Sequence, residues 1–150
     1  KVGENPNSIV IDQDNKIWIL CSGGLNSTNP KLIKFNPQTR TIEKTFTFPN
    51  IPESPGSLTI NHTRNKLYFL NTNVYSMNIS GNSLPSSPII TSNNNTFYGL
   101  GIDPITEDIY VSDAIDYVQN GLVFRYSSNG SLIHQFKSGI IPRAFLFIKQ

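Results

Sequence analysis

Strand signals in sets of four, the return of that set every 40–50 residues, and turn chemistry at nearly every junction predict an all-β fold for this chain. That combination is the signature of a β-propeller made of four-stranded antiparallel blades. The 150 residues hold three such blades, at about 5–49, 55–91 and 97–137, and one extra innermost-type strand at 143–148. Ten Gly, ten Pro and abundant Asn, Ser and Thr supply the turns and leave little room for helix.

The first blade sets the pattern. Ser8–Asp12 is its strand a, and the turn Gln13-Asp14-Asn15 leads into strand b, Lys16–Cys21. Both are apolar on consecutive residues, which predicts burial on both faces. Strand c is Lys31–Asn36, and Asn36-Pro37-Gln38-Thr39 is a turn with Pro in its favoured second position. Strand d, Thr41–Phe48, alternates: Ile42, Lys44, Phe46 and Phe48 share one face. Burial thus falls from the inner to the outer strand, as in a sheet wedged between neighbours at its inner edge.

The second and third blades repeat this order. Ser57–Asn61, Lys66–Leu70, Asn73–Asn78 and a shorter Ser87–Thr91 form the second. Gly99–Asp103, Asp108–Ser112, Leu122–Ser127 and Ser131–Phe136 form the third. Asp12, Asn61 and Asp103 end the three a strands, 49 and 42 residues apart, where a side-chain oxygen accepts the N–H groups of the following turn. Trp18, Tyr68 and Tyr110 recur on strand b as blade packing, with Phe46, Phe48 and Phe136 facing the core from strand d. Arg143–Ile148 begins like a fourth strand a.

Three blades cannot close a ring, because propellers need about four to eight. The chain therefore reads as part of a larger propeller, seven-bladed by expectation, whose open faces are covered by the remaining blades or by a second copy. A start at Lys-Val-Gly without Met fits a cut or processed piece.

Composition narrows the function classes. The net charge is +2, with Lys16, Lys34, Arg64, Arg125 and Arg143 scattered rather than striped, which argues against nucleic acid as a partner. No apolar run approaches the roughly 18 residues of a membrane-spanning helix. The single Cys21 excludes an internal disulfide and a cysteine zinc site, and its apolar strand marks it as a packed thiol. His62 and His134 fall in different blades with no nucleophile beside them, so no catalytic triad is assigned. Asp113 and Asp116 are the one close acidic pair in a b–c loop, where shaping the loop is the expected role. No metal or cofactor is expected.

The segment Ile109-Tyr110-Val111-Ser112-Asp113 resembles the Tyr-Val-Thr-Asn repeat of YncE-like propellers. The run from Asp113 to Gly121, then Phe124-Arg125-Tyr126 and Gly139-Ile140-Ile141-Pro142, is similar to the C-terminal blade of YncE-like surface propellers of Bacteroidetes. That resemblance implies a lipoprotein at the outer face of the outer membrane or in the periplasm, beside a TonB-dependent transporter. It implies capture of a nutrient or cofactor, with cobalamin as the example set by the BtuG-type branch.

In a propeller the loops entering strand a and the b–c loops gather on one face around the channel, where binding concentrates. Residues that break the repeat there are Asn26, Asn29, Glu53, Tyr98, Asp116, Tyr117 and Arg143. Their expected role is hydrogen bonding and aromatic contact to a small polar molecule or glycan. The first expectation is a non-enzymatic binding module. A protein–protein scaffold and a lactonase-like enzyme are the alternatives.

Overall fold

The computed structural model describes residues 1–24, 27–50 and 53–148. Eleven strands and no helix occur among them. They form three antiparallel sheets in strict chain order. The first holds β1 (Pro6–Ile11), β2 (Ile17–Cys21), β3 (Lys31–Asn36) and β4 (Thr41–Thr47). The second holds β5 (Gly56–Ile60), β6 (Lys66–Asn71) and β7 (Asn73–Asn78). The third holds β8 (Phe97–Ile102), β9 (Ile109–Asp113), β10 (Asn120–Tyr126) and β11 (Leu132–Ile140). The first strand of each sheet lies against the first strand of the next, β1 on β5 and β5 on β8, so the sheets stack as consecutive blades around those inner strands.

Alternation within each strand builds the two cores. Trp18, Leu20, Leu32, Phe46 and Phe48 leave the first sheet on the face toward Leu58, Leu67, Phe69 and Met77 of the second. Tyr68, Leu70 and Val74 leave the opposite face of the second sheet and meet Leu100, Ile109, Val111 and Phe124 of the third. At about 25 cal/mol per Å² of apolar surface buried, these two layers are the main source of stability.

The a–b turns follow the expected chemistry. Asp12 Oδ1 accepts from the N–H groups of Asp14 (2.9 Å) and Lys16 (2.8 Å). Asn61 Oδ1 accepts from Asn65 and Lys66 (both 3.0 Å), and Asp103 Oδ1 from Ile105 (2.8 Å) and Thr106 (3.2 Å). Each turn contains one left-handed residue at the same place: Asn15, Arg64 and Glu107, with φ of 56°, 56° and 59°. Cys21 is buried, and burial pushes its thiol pKa up, in keeping with a packed rather than a reactive group.

Five expectations are corrected. Ser87–Thr91 is not a strand: only an isolated bridge joins Ile90 to Val74, and the second sheet has three strands. Pro85 and Pro88 explain this, since neither carries an N–H to extend a ladder. Residues 143–148 are also outside any strand, and none of the three sheets among the described residues includes them. They nevertheless lie along β8, with Phe145 and Phe147 packed on Tyr110 at centroid distances of 5.9 and 5.3 Å. Strand β1 is not buried on both faces: Ile9 and Ile11 are 63% and 50% exposed, since no described sheet packs on that face. Phe136 is 45% exposed on the outermost strand, opposite Val123 on the face turned away from the second sheet. Tyr98 belongs to β8 rather than to a loop.

Candidate functional site

Each inner strand starts with an irregularity in its pairing to the next strand. The register shifts between Pro6 and Ser8, between Gly56 and Thr59, and between Phe97 and Gly99. A bulge adds a residue without a partner and re-aims its side chain. The bulged residues here, Asn7, the pair Ser57 and Leu58 that together face Phe69, and Tyr98, all line one cleft of about 690 Å³. Repetition of the blade thus places equivalent, irregular positions of three strands around a common space.

Polar contacts knit this rim across blades. Asn7 Nδ2 donates to the Pro55 carbonyl (2.8 Å), the Leu58 N–H donates to Ser8 Oγ (3.1 Å), and Ser57 Oγ donates to the Tyr98 carbonyl (3.2 Å). On the far side, Ser112 Oγ accepts from the Gly99 N–H (2.8 Å) and donates to the Pro142 carbonyl. These bonds fix the walls from which Tyr98 and Arg143 project.

Three sequence-predicted residues meet in the cleft. Tyr98 and Tyr117 pack edge to face, with ring centroids 5.6 Å apart. The Arg143 guanidinium stands over the Tyr98 ring at 5.6 Å from its centroid. All three line the same cleft. The loop carrying Tyr117 is shaped by its acids. Asp113 Oδ1 accepts from the N–H groups of Thr96 (2.9 Å) and Ile115 (2.8 Å). Asp116 Oδ1 accepts from Val118 and Gln119 (both 3.0 Å), and the Gln119 and Val118 N–H groups hold its carboxyl below the usual aspartate range. The loop holds Ile115 and Tyr117 in the left-handed region, at φ of 54° and 65°.

The other predicted residues stand apart. Asn29 Nδ2 donates to the Phe48 and Pro49 carbonyls (2.9 and 3.1 Å) and ties the first b–c loop to the end of β4. Glu53 accepts from Asn50 Nδ2 (2.7 Å) and Asn71 Nδ2 (2.8 Å) in a neighbouring depression that shares Ser54 and Thr72 with the cleft. Asp116 is exposed at the tip of its loop and is not among the lining residues. Asn26 lies outside the described residues. Sequence reasoning missed Asn7, Ser54 and Ser57. Their signal was a polar residue at or just before the start of each inner strand, where a buried blade edge would call for an apolar one.

Charge is uneven around the cleft. Among the described residues the ion pairs are Lys16–Glu43, Lys34–Asp12 and Arg125–Asp108, all away from it. Among the described residues Arg143 is the one charged side chain lining the cleft, and it belongs to none of these pairs.

A crystal structure of a quinoprotein alcohol dehydrogenase-like protein from Bacteroides thetaiotaomicron is similar to this chain, with a TM-score of 0.66 at 17% sequence identity. The similarity covers 87% of this chain and 33% of that one, so the chain spans about a third of the length of that structure. The likeness is one of fold, and with the three stacked antiparallel sheets it makes the chain a partial β-propeller. A search of curated proteins finds no match. Residues 1–146 match the family described as Domain of unknown function (DUF5074), and the chain belongs to that family.

Proposed function

We propose that this chain is a non-enzymatic ligand-binding part of a β-propeller, holding a small polar molecule in the cleft at the inner strands. The observation that carries this reading is the convergence of Tyr98, Tyr117 and Arg143 from three separate segments. Rigid strands hold Tyr98, and hydrogen-bonded loop geometry holds Tyr117. Such preorganisation favours binding over mere surface decoration. Asp113 and Asp116 accept N–H groups of their own loop, so we assign them a shaping role and no catalytic one. The name of the solved neighbour refers to an enzyme, and we carry no activity over from it.

The resemblance to YncE-like surface propellers supports a place at the outer membrane surface or in the periplasm, beside a TonB-dependent transporter, with cobalamin as one ligand to try. Titration of the chain, and of the longest natural form that contains it, with cobalamin, haem, siderophores and glycans tests the reading. Saturable binding that perturbs Tyr98 and Tyr117 is expected. Binding of a protein partner with none of these ligands would refute it.

A second reading rests on a different observation. Ile9 and Ile11 at one end, and Leu146 and Ile148 (84% and 77% exposed) at the other, leave both ends of the sheet stack apolar and uncovered. We propose that further blades or a second copy cover them. Ile11→Lys with Ile148→Lys would then lower the sedimentation-derived mass of any self-associated form. An unchanged mass for an associating chain would exclude these faces as the contact.

A further inference from the structure

We infer that the ligand of the inner-strand cleft is an organic anion, with its carboxylate or phosphate opposite Arg143 and its ring or apolar body along Tyr98 and Tyr117. The inference rests on the cleft reading above and adds the charge of the ligand.

The acids near the cleft already have hydrogen-bond donors. Asp113 holds Thr96 and Ile115, Asp116 holds Val118 and Gln119, and Glu53 holds Asn50 and Asn71. Arg143 differs. Its guanidinium stands over the face of Tyr98, and among the described residues its N–H donors make no hydrogen bond or ion pair. Its backbone is not free to swing away. The Pro142 carbonyl accepts from Ser112 Oγ, and the Arg143 carbonyl is packed so closely on Gly99 that a Cβ there would collide with it. A planar donor fork on an anchored backbone, in a cleft with no other formal charge among the described residues, matches a carboxylate or phosphate better than a neutral or cationic group. The hydroxyls of Ser54 and Ser57 and the Asn7 amide supply the remaining polar wall.

The test uses pairs in which one member carries an anionic group and its close analogue does not: galacturonate against galactose, benzoate against benzamide, glucose 6-phosphate against glucose. Each is titrated into the isotope-labelled chain while amide shifts of Ser57, Tyr98 and Tyr117 are followed by NMR. In at least one pair the anionic member should bind about tenfold more tightly. That advantage should shrink from 50 to 300 mM salt. It should vanish in Arg143→Gln and survive in part in Arg143→Lys, which keeps the charge without the fork. Equal binding of both members at the cleft would overturn the anion inference and leave the binding reading standing, as would an anion preference that persists in Arg143→Gln. Absence of any shift at the cleft with every probe would overturn the binding reading itself. Comparing amide spectra of Arg143→Gln and Arg143→Lys with the parent separates a lost site from a lost fold.

Discussion

Tyr98 and Tyr117 meet with their rings 83° apart, one in a strand bulge and the other at the turn of a b–c loop. The contact joins the inner strand of the third sheet to the loop that follows β9. Tyr117 adopts this place at a backbone cost, with φ of 65°, and its side chain is 49% exposed. An edge-to-face pair contributes roughly 0.5–1.5 kcal/mol beyond area burial, whereas a left-handed non-glycine residue costs roughly 1–2 kcal/mol. Tyr117→Ala should therefore lower stability by about 1 kcal/mol, because it loses the ring and keeps the strain. Tyr117→Gly should be about 1 kcal/mol more stable than Tyr117→Ala, since only the strain is removed. Urea denaturation of the two variants measures the difference. Equal midpoints would mean that the loop relaxes and that Tyr117 is not held.

Asp12 is a buried carboxylate with a full set of donors. Besides two turn N–H groups it accepts from Trp18 Nε1 at 2.9 Å and lies 3.6 Å from Lys34 Nζ, which in turn sits over the Trp18 ring. Removing it leaves an indole N–H and an ammonium without their acceptor inside the first sheet. Asp12→Ala should cost about 3–4 kcal/mol. Asp12→Asn should cost less, about 2 kcal/mol, because its oxygen still serves the turn as Asn61 does in the second blade. Its amide would then face two donors. Trp18→Phe should cost less in the Asp12→Asn background than alone, and a double-mutant cycle by chemical denaturation reads that coupling.

Much of this fold was legible in the residues. The turn-forming Asp12, Asn61 and Asp103 and the buried Trp18 and Tyr68 follow from repeated local chemistry, and local chemistry is what a sequence displays. Strand failure at Ser87–Thr91 was legible too, in Pro85 and Pro88, but the repeat pattern argued the other way. The exposure of Ile9 and Phe136 was not, because it depends on which neighbour a face meets, and the residues themselves are ordinary core residues. In the site, Tyr98, Tyr117 and Arg143 were visible as departures from the repeat. Asn7 and Ser57 showed only as polar residues at the start of an inner strand; that they sit in bulges was hidden, since a bulge is a relation between two strands.

Tyr68 predicts the alkaline limb of stability. It is buried between the second and third sheets, and burial, with a smaller contribution from Glu107, pushes its phenol pKa up to about 12. An unfolded tyrosine ionises near pH 10. Between those two values the unfolded chain releases a proton that the folded chain keeps, so the contribution is intact below about pH 10 and is lost as pH rises toward 12. Burial raises Tyr126 in the same direction. The loss should be on the order of 2 kcal/mol between those limits, and Tyr68→Phe should flatten it. Thermal or urea midpoints from pH 9 to 11.5 test this, and a parent and variant with the same slope would exclude Tyr68 as the cause.

The terminal segment depends on the absence of two side chains in β8. Gly99 and Gly101 share the face turned away from the second sheet, while Leu100 and Ile102 fill the core on the other. A Cβ on Gly101 would stand 2.8 Å from Phe145 Cβ and 2.9 Å from its Cδ2, and one on Gly99 would meet the Arg143 carbonyl. Overpacking of this kind costs about 1–3 kcal/mol if the neighbour stays in place. Residues 143–148 make no ladder, so detaching them relieves the clash without breaking a sheet. Gly101→Ala should accordingly release Phe145 and Phe147 from Tyr110 and raise hydrogen exchange and protease cleavage near residue 143, with little change in the global urea midpoint. Arg143 would leave Tyr98 with them, so the anion preference proposed for the cleft should fall in the same variant. Gly139 is the control: no atom lies within 4 Å of a Cβ built there, and Gly139→Ala should leave exchange, cleavage and binding unchanged. If Gly101→Ala instead lowers the global midpoint and leaves exchange near residue 143 as it was, the segment is an integral part of the third sheet and the cleft wall is fixed by the fold as a whole.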